Sequence, residues 1–151
     1  MTEAEFRKKH SVLIEYYQLI EMRLRMLCAT VTAEADKSWF RKIDDYQGDS
    51  LGQLIRRLQV IQTKQQTEQL SANEIQELNS LRISRNYWCH ECFGLDDPVT
   101  FSRSKGADAE RVVKRAVHVK RLIDDLQKAN DWDERLTEAC IAAERKKQVN
   151  W

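Results

Sequence analysis

Apolar residues spaced alternately four and three apart along the first fifth of the chain constrain its fold most. The series is interrupted by one histidine and runs Phe6, His10, Leu13, Tyr17, Ile20, Leu24, Leu27 and Val31. This spacing places residues on one face of an α-helix, so it predicts a long helix over about residues 3–34. Ile14 and Cys28 widen the stripe, which favours a helix within a bundle over a strand of a two-stranded coiled coil.

Composition supports a helical fold for the rest of the chain. The 151 residues include one proline and four glycines, too few for the many turns of an all-β fold. Apolar residues make up 42% and the formal net charge is +1, which argues against intrinsic disorder. We therefore expect one domain over residues 1–151, all-α, built as an antiparallel bundle of about five helices.

The second and third helices are predicted from capping residues at their N-termini. After a connection of one or two irregular helical turns, Gly48 breaks the chain, and Asp49 or Ser50 can cap the second helix. That helix has the apolar stripe Leu51, Leu54, Ile55, Leu58 and Ile61. The third helix starts at a capping box formed by Ser71 and Glu74, and it is expected to run to about Phe93 and to stop at Gly94.

Two more helices are expected after a loop that contains Asp96, Asp97 and Pro98. The fourth should start near Ala107, and the fifth around Asp131. The buried face of the fourth is predicted to be Val112, Ala116, Val119, Ile123 and Leu126. No apolar stretch approaches the length of a membrane span, and the first residues lack the apolar core of a secretion signal. We expect a cytoplasmic protein with no membrane partner.

Cysteine usage fits the same compartment. Four cysteines without a secretory context are expected to be reduced: Cys28, Cys89, Cys92 and Cys140. Cys89 and Cys92 have the spacing of half a zinc site, which leaves a zinc-binding or redox bundle as a third interpretation. Inside a helix, however, they are neighbours one turn apart, so we expect buried thiols, no metal and no cofactor.

The third helix carries one charge where its stripe requires an apolar residue. The stripe runs Leu78, Leu81, Arg85, Trp88, Cys92. Burial of an unpaired guanidinium is costly, so Arg85 should face a carboxylate, a ligand or a wet cleft. His90 follows five residues later, rotated by roughly 140° in an α-helix, and Asn86 and His90 are neighbours one turn apart. We expect the three side chains to occupy one broad sector of the helix.

The segment from Leu81 to Glu91, with Arg85, Asn86 and His90 in the order Arg-Asn-x3-His, resembles the signature of the HEPN superfamily. The stretch from Gly48 to Leu58 is similar to the second helix of several such proteins. The resemblance implies a metal-independent endoribonuclease of the toxin–antitoxin or phage-defence kind, active as a homodimer whose two motifs meet at the interface. It implies catalytic roles for Arg85 and His90 and a supporting role for Asn86. The partners implied are RNA and an antitoxin, nucleotidyltransferase-like or other.

Those residue types suit cleavage of RNA without a metal. Imidazole exchanges protons near neutral pH, so His90 can act as base towards a ribose 2′-hydroxyl or as acid towards the leaving 5′-oxygen. Arg85 can stabilise the charge on a pentacoordinate phosphorus. Some HEPN toxins carry, two positions after the histidine, a tyrosine that a partner nucleotidyltransferase modifies. Here Cys92 stands in that place, which puts this mode of regulation in doubt.

Basic residues around the fourth predicted helix offer a track for the RNA backbone. The residues are Arg111, Lys114, Arg115, His118 and Arg121, expected on the face opposite its apolar stripe, and a merely solvated face is the alternative. His118 should accordingly be exposed. His10, within the stripe of the first helix, should be a core or interface histidine.

A non-catalytic protein is the competing functional class. The stretch from Leu51 to Leu58 is similar to helical regulators of the mannitol-repressor type, and an antitoxin-like interaction module is a related possibility. In this interpretation the Arg85 head group lies at the end of the bundle, and a backbone carbonyl satisfies His90.

Overall fold

A computed structural model describes residues 1–34, 36–103, 105–106 and 109–150, without the side chains of residues 36–38 and 149–150. Within these residues the chain forms five α-helices, one π-helical turn, called the π turn below, and a two-stranded antiparallel sheet. In chain order they are α1 (Glu3–Thr32), α2 (Asp36–Tyr46), α3 (Leu51–Gln65), α4 (Ala72–Asn86), the π turn (Tyr87–Glu91), β1 (Phe101–Arg103), β2 (Arg111–Val113) and α5 (Ala116–Asn150). The all-α helical bundle is confirmed.

Helix α1 is the centre of the bundle, and its boundaries agree with the prediction to within two residues. The Thr2 side chain accepts a hydrogen bond from the Glu5 N–H, and the Glu5 carboxylate accepts one from the Thr2 N–H, so the first turn is capped from both sides. The predicted stripe is buried apart from His10, which is half-buried: Phe6, Leu13, Tyr17, Ile20, Leu24, Leu27 and Val31.

The segment after α1 is more regular than predicted. The expected one or two irregular turns are the 11-residue helix α2, whose Trp39 indole donates to Thr30 Oγ1 of α1 at 3.1 Å. Ser50 caps α3, paired with Gln53 in a second capping box. In the first turn of α3, a Cβ on Gly52 would lie 3.0 Å from Cδ of Arg82, so glycine permits the close approach of α4 there.

The predicted division of the C-terminal region into two helices is wrong. One helix of 35 residues, α5, continues through Asp131, the expected start of a fifth helix. Ala107, the expected start of the fourth, lies outside the described residues. Residues 116–150 contain neither proline nor glycine, so no residue there interrupts the backbone ladder. The Asp131 carboxylate accepts a hydrogen bond from Gln127 one turn earlier, on the surface of the same helix.

The predicted apolar face of this helix is also wrong. Ile123 is 48% exposed, and Val112 lies on β2. The buried face of α5 lies along a different row of residues on the same helix. It again has alternating gaps of four and three: His118, Leu122, Asp125, Ala129, Trp132 and Leu136. Two polar members conceal this seam in the sequence, because a search for apolar residues passes over His118 and Asp125.

Contacts along the bundle show the relative direction of α1 and α5. Tyr16 of α1 donates to Asn130 of α5, and Arg23, later in α1, donates to Asp133, later in α5. Residue numbers increase in the same direction along both helices, so α1 and α5 run parallel. The bundle therefore departs from strict antiparallel alternation.

Helix α4 runs antiparallel to α5. Its first turn is held by Arg135, which donates to Glu74 Oε2 at 2.5 Å, and the π turn at its other end is held by the hydrogen bond from Trp88 to Asp125. The hydrogen bond from Arg135 keeps the pKa of the Glu74 carboxyl below its usual range. Both ends of α4 are thus fixed to α5 by side chains.

The sheet is a feature that the sequence analysis missed. Phe101 of β1 pairs with Val113 of β2, and the Val113 N–H donates to the Met1 carbonyl. Each strand is three residues long, which is too short to show a clear alternation of apolar and polar residues in the sequence. Within the described residues, no helix is long and apolar enough to cross a membrane.

The connection between α3 and α4 has a side-chain clamp that supports a first prediction. Gln62 Oε1 accepts from the N–H groups of Gln69 and Leu70, and its Nε2 donates to the Leu70 carbonyl. We expect Gln62→Leu to lower the free energy of unfolding by about 1–3 kcal/mol, because each lost bond contributes about 1 kcal/mol. Urea denaturation measures this change. Gln59→Leu, on the exposed face of the same helix, is the matched control. Equal midpoints for the two variants would contradict the clamp.

Candidate active site

Helix α4 places the motif at the end of a firmly anchored helix. Ser71 Oγ accepts from the Glu74 N–H, and the Glu74 carboxylate accepts from the Ser71 N–H, as the capping-box pattern predicts. The stripe that follows is buried at Ile75, Leu78, Leu81, Trp88 and Cys92. Arg85 occupies the remaining position of this stripe, as expected from its spacing.

Arg85 faces a carboxylate of the neighbouring helix. Its Nη2 lies 3.2 Å from Glu21 Oε1 on α1, and its Nη1 donates to Asn86 Oδ1 at 3.4 Å. The Arg85 side chain is 28% exposed and that of Glu21 is 19% exposed. Glu21 Oε1 is itself buried and accepts no well-aligned hydrogen bond, so the contact is an ion pair without a fixed hydrogen-bond direction. The guanidinium is thus partly open to solvent and loosely held.

The π turn changes the relation between Arg85 and His90. The Cys92 N–H donates to the Tyr87 carbonyl, five residues back, at 2.8 Å. A turn closed in this way holds one more residue than an α-helical turn, so the angle between Arg85 and His90 is smaller than the 140° expected for an α-helix. Asn86 is half-buried, and His90 is exposed.

Helix α5 fixes the π turn from its buried side. The Trp88 indole N–H donates to Asp125 Oδ2 at 2.8 Å, and Asp125 is 6% exposed. The Arg121 guanidinium lies 3.5 Å from the centre of the Tyr87 ring, and its Nε lies 3.7 Å from the same Asp125 oxygen. This arrangement pairs a buried carboxylate with an indole donor and a cation, so its charge is compensated.

Sequence reasoning missed Glu21 and Asp125. Asp125 is detectable in principle, because it is a charged residue at a seam position, as Arg85 is. Glu21 lies beside the apolar seam of α1, and its position in the sequence does not mark it as unusual. Carboxylates beside an apolar stripe are common on helix surfaces.

The structure corrects the basic track proposed from the sequence. Arg111 lies on β2, and Lys114 and Arg115 precede α5, so the five residues do not form a stripe on one helix. His118 is 2% exposed rather than solvated, because it lies in the buried seam of α5, and its Nε2 is 3.4 Å from Asp97 Oδ2. Arg121 lies against Tyr87.

Acidic partners also reduce the charge that this group offers to an anion. Arg111 pairs with Glu3 at 3.1 Å, and Arg115 pairs with Asp97. Lys114 is exposed. Of the five residues, Arg111, Lys114, Arg115 and Arg121 keep exposed side-chain surface, and Arg111, Arg115 and Arg121 each have an acidic partner.

The comparisons with known proteins add no relative. The chain matches no protein-family model, and it matches neither a curated protein nor a solved structure. The HEPN interpretation therefore rests on the motif and on its setting in a helical bundle.

The cysteines are free thiols with different degrees of burial. Burial raises the pKa of the Cys28 thiol to about 12 and those of Cys92 and Cys140 to about 11. Cys89 is half-buried, and burial raises its pKa as well. In the part of the chain that the structure describes, no group of three or more His, Cys, Asp or Glu side chains is placed to hold a metal ion.

We predict that Cys89 reacts first with a thiol reagent. In the folded protein at pH 8, a disulfide reagent such as Ellman's should label one thiol per chain rapidly, because the other three are buried and out of its reach. The Cys89→Ser variant should lose this rapid phase, and denaturation of the wild type should expose all four thiols. A rapid phase that survives in Cys89→Ser would contradict the assignment.

Proposed function

We propose that the protein is a cytoplasmic, metal-independent endoribonuclease of the HEPN toxin or defence type. The observation that carries this proposal is the arrangement at the end of α4. A half-buried, loosely paired Arg85, the adjacent Asn86 and an exposed His90 occur together beside a π turn. Turns of this kind are frequent at functional sites, because the extra residue redirects side chains at the expense of a regular hydrogen bond.

The proposed reaction uses the ribose 2′-hydroxyl as the nucleophile. His90 takes the hydroxyl proton, the 2′-oxygen bonds to phosphorus, and the bond from phosphorus to the 5′-oxygen breaks. The leaving oxygen receives a proton from an imidazolium, which in a dimer can be His90 of the second copy. The products are a 2′,3′-cyclic phosphate and a 5′-hydroxyl. The chemistry requires RNA, because DNA lacks the nucleophile.

Arg85 and Asn86 act on the phosphate and on the histidine. Negative charge accumulates on the phosphorus oxygens as the 2′-oxygen bonds, and the Arg85 guanidinium stabilises it. For this, Arg85 must exchange the Glu21 carboxylate for a phosphate oxygen. The ion pair is partly solvated and lacks a fixed hydrogen-bond direction, which favours such an exchange. Asn86 can hold a phosphate oxygen or orient His90.

A homodimer is part of this proposal. Three large apolar side chains close to the motif in the sequence are exposed: Ile83 at 62%, Phe93 at 47% and Leu95 at 100%. Exposed apolar groups of this size are typical of surfaces that a partner covers. A second copy bound there would bring two His90 side chains to one interface. A further protein that neutralises the enzyme, an antitoxin of nucleotidyltransferase-like or other type, remains part of the proposal.

The Arg85–Glu21 ion pair favours a second candidate function. In this second candidate, the role of Arg85 is structural, because its ion pair with Glu21 joins α4 to α1. The protein is then a non-catalytic helical regulator or interaction module. The two candidates differ in what they require of His90, which is exposed and therefore contributes little to stability.

Variants of the motif test the proposal. We expect purified wild type to cleave RNA in the presence of a chelator, and its expression to slow host growth. Arg85→Ala and His90→Ala should each lower cleavage by about 10²–10⁴-fold, the usual effect of removing an acid–base group or an oxyanion-stabilising cation. Both variants should restore growth.

The matched control for the arginine is Arg82→Ala, one turn earlier on α4. It removes the same charge from the same helix and should cleave RNA as the wild type does. Circular dichroism establishes that each variant is folded. Equal behaviour of wild type, Arg85→Ala and His90→Ala would exclude the nuclease, and loss of cleavage on addition of the chelator would exclude the metal-free mechanism.

The exchange of Glu21 for phosphate gives a further prediction. Glu21→Gln removes the charge that competes for Arg85, so the KM for RNA should fall, by up to about five-fold for a pair that contributes at most about 1 kcal/mol. Steady-state kinetics with a short fluorescent RNA measures this change. If Glu21→Gln instead loses activity as completely as Arg85→Ala, Glu21 holds Arg85 in its working position and does not compete with the substrate.

A further inference from the structure

The π turn leaves one backbone carbonyl without its usual donor. In an α-helix the Cys92 N–H would donate to the Trp88 carbonyl, four residues back. Here it donates to the Tyr87 carbonyl at 2.8 Å. The Trp88 carbonyl therefore depends on side chains for its hydrogen bonds, and Trp88 is 1% exposed, so water is a poor substitute.

Two side chains supply those hydrogen bonds. His10 Nε2 lies 2.9 Å from the Trp88 carbonyl oxygen, and Cys92 Sγ donates to the same oxygen at 3.2 Å. A carbonyl only accepts, so His10 carries its proton on Nε2. The imidazole N–H is the stronger donor of the two, since a thiol donates weakly. His10 is thus the main replacement for the missing backbone donor.

The His10 ring is held in place by aromatic neighbours. Its centre lies 5.8 Å from that of Trp88 and 5.6 Å from that of Phe93, and the ring is half-buried between α1 and the π turn. Its position is set by the apolar seam of α1, in which it takes the place of an aliphatic residue. An aliphatic side chain there would fill the space and offer no donor.

We infer that His10 is a positioning residue that selects the π turn over a continued α-helix and thereby sets the direction of His90. Without His10, only the weak thiol donor of Cys92 bonds to the Trp88 carbonyl, and the α-helical bond from the Cys92 N–H becomes the better alternative. That change removes the extra residue from the turn. It rotates the residues after the turn by about 100°, and it rotates His90, which lies inside the turn, by part of that angle. The structural part of this inference stands alone, and its consequence for catalysis rests on the proposed function.

A pair of variants separates the donor from the volume of the side chain. His10→Gln retains an N–H donor of similar reach, whereas His10→Leu retains apolar packing and removes the donor. Backbone chemical shifts and amide hydrogen bonds of residues 87–92, measured by NMR, report which form the turn adopts. We expect the π turn in wild type and His10→Gln, and an α-helical turn in His10→Leu. A π turn that persists in His10→Leu would overturn the inference.

The wild-type protein provides a test that does not require a folded variant. Nitrogen-15 NMR of the His10 ring, with a scalar coupling across the hydrogen bond to the Trp88 carbonyl carbon, identifies the donor atom. We expect the proton on Nε2 and a measurable coupling. A ring whose neutral form carries its proton on Nδ1 alone would overturn the inference.

The catalytic consequence has its own measurement. In His10→Leu, kcat for RNA cleavage should fall by about 10²-fold, the usual effect of a misplaced catalytic group, with KM nearly unchanged, and His10→Gln should restore most of kcat. If wild type does not cleave RNA, the proposed function fails, while the NMR results still decide the role of His10. If wild type cleaves and His10→Leu retains full kcat despite an α-helical turn, the positioning role is excluded.

Discussion

The structure depends on the burial of one face of α1. Helices α2, α3 and α5, the π turn and β2 all contact this helix, and its seam residues other than His10 are almost fully buried. Residues on and beside the seam are therefore placed precisely against other elements. His10 lies within the seam and reaches the π turn, and Glu21 lies beside the seam and reaches Arg85. The same packing that stabilises the bundle thus positions both groups that act on the motif.

Polar residues occupy seam positions in α1, α4 and α5, and three of them have partners at the end of α4. His10 of α1 meets a backbone carbonyl, Arg85 of α4 meets Glu21, and Asp125 of α5 meets Trp88. Replacing such groups by apolar residues often stabilises a protein, so stability alone is a weak reason for them. Each of these three contacts includes a residue of the segment from Arg85 to His90, either Arg85 itself or Trp88. This concentration at one end of α4 is what supports a functional interpretation there.

Local patterns in the sequence were enough to predict α1, the Ser50 cap of α3, the capping box of α4, and the position of Arg85 in its stripe. Each depends on neighbours within one or two turns. The continuous α5 and its buried face were not predicted, because His118 and Asp125 conceal the seam and their partners come from distant segments. The π turn was missed for a related reason. It requires a donor from His10, 78 residues away from Trp88 in the chain, and no local pattern in residues 87–91 indicates it.

The central claim is that the end of α4 cleaves RNA without a metal by attack of the 2′-hydroxyl. Analysis of the RNA ends tests it most directly, by mass spectrometry of the products of a synthetic oligonucleotide incubated with purified protein and chelator. The account predicts a 2′,3′-cyclic phosphate on one fragment and a 5′-hydroxyl on the other. It also predicts no cleavage where a single 2′-deoxy residue replaces the attacking nucleotide. Products that carry a 5′-phosphate and a 3′-hydroxyl, or cleavage that continues at the 2′-deoxy position, would contradict it.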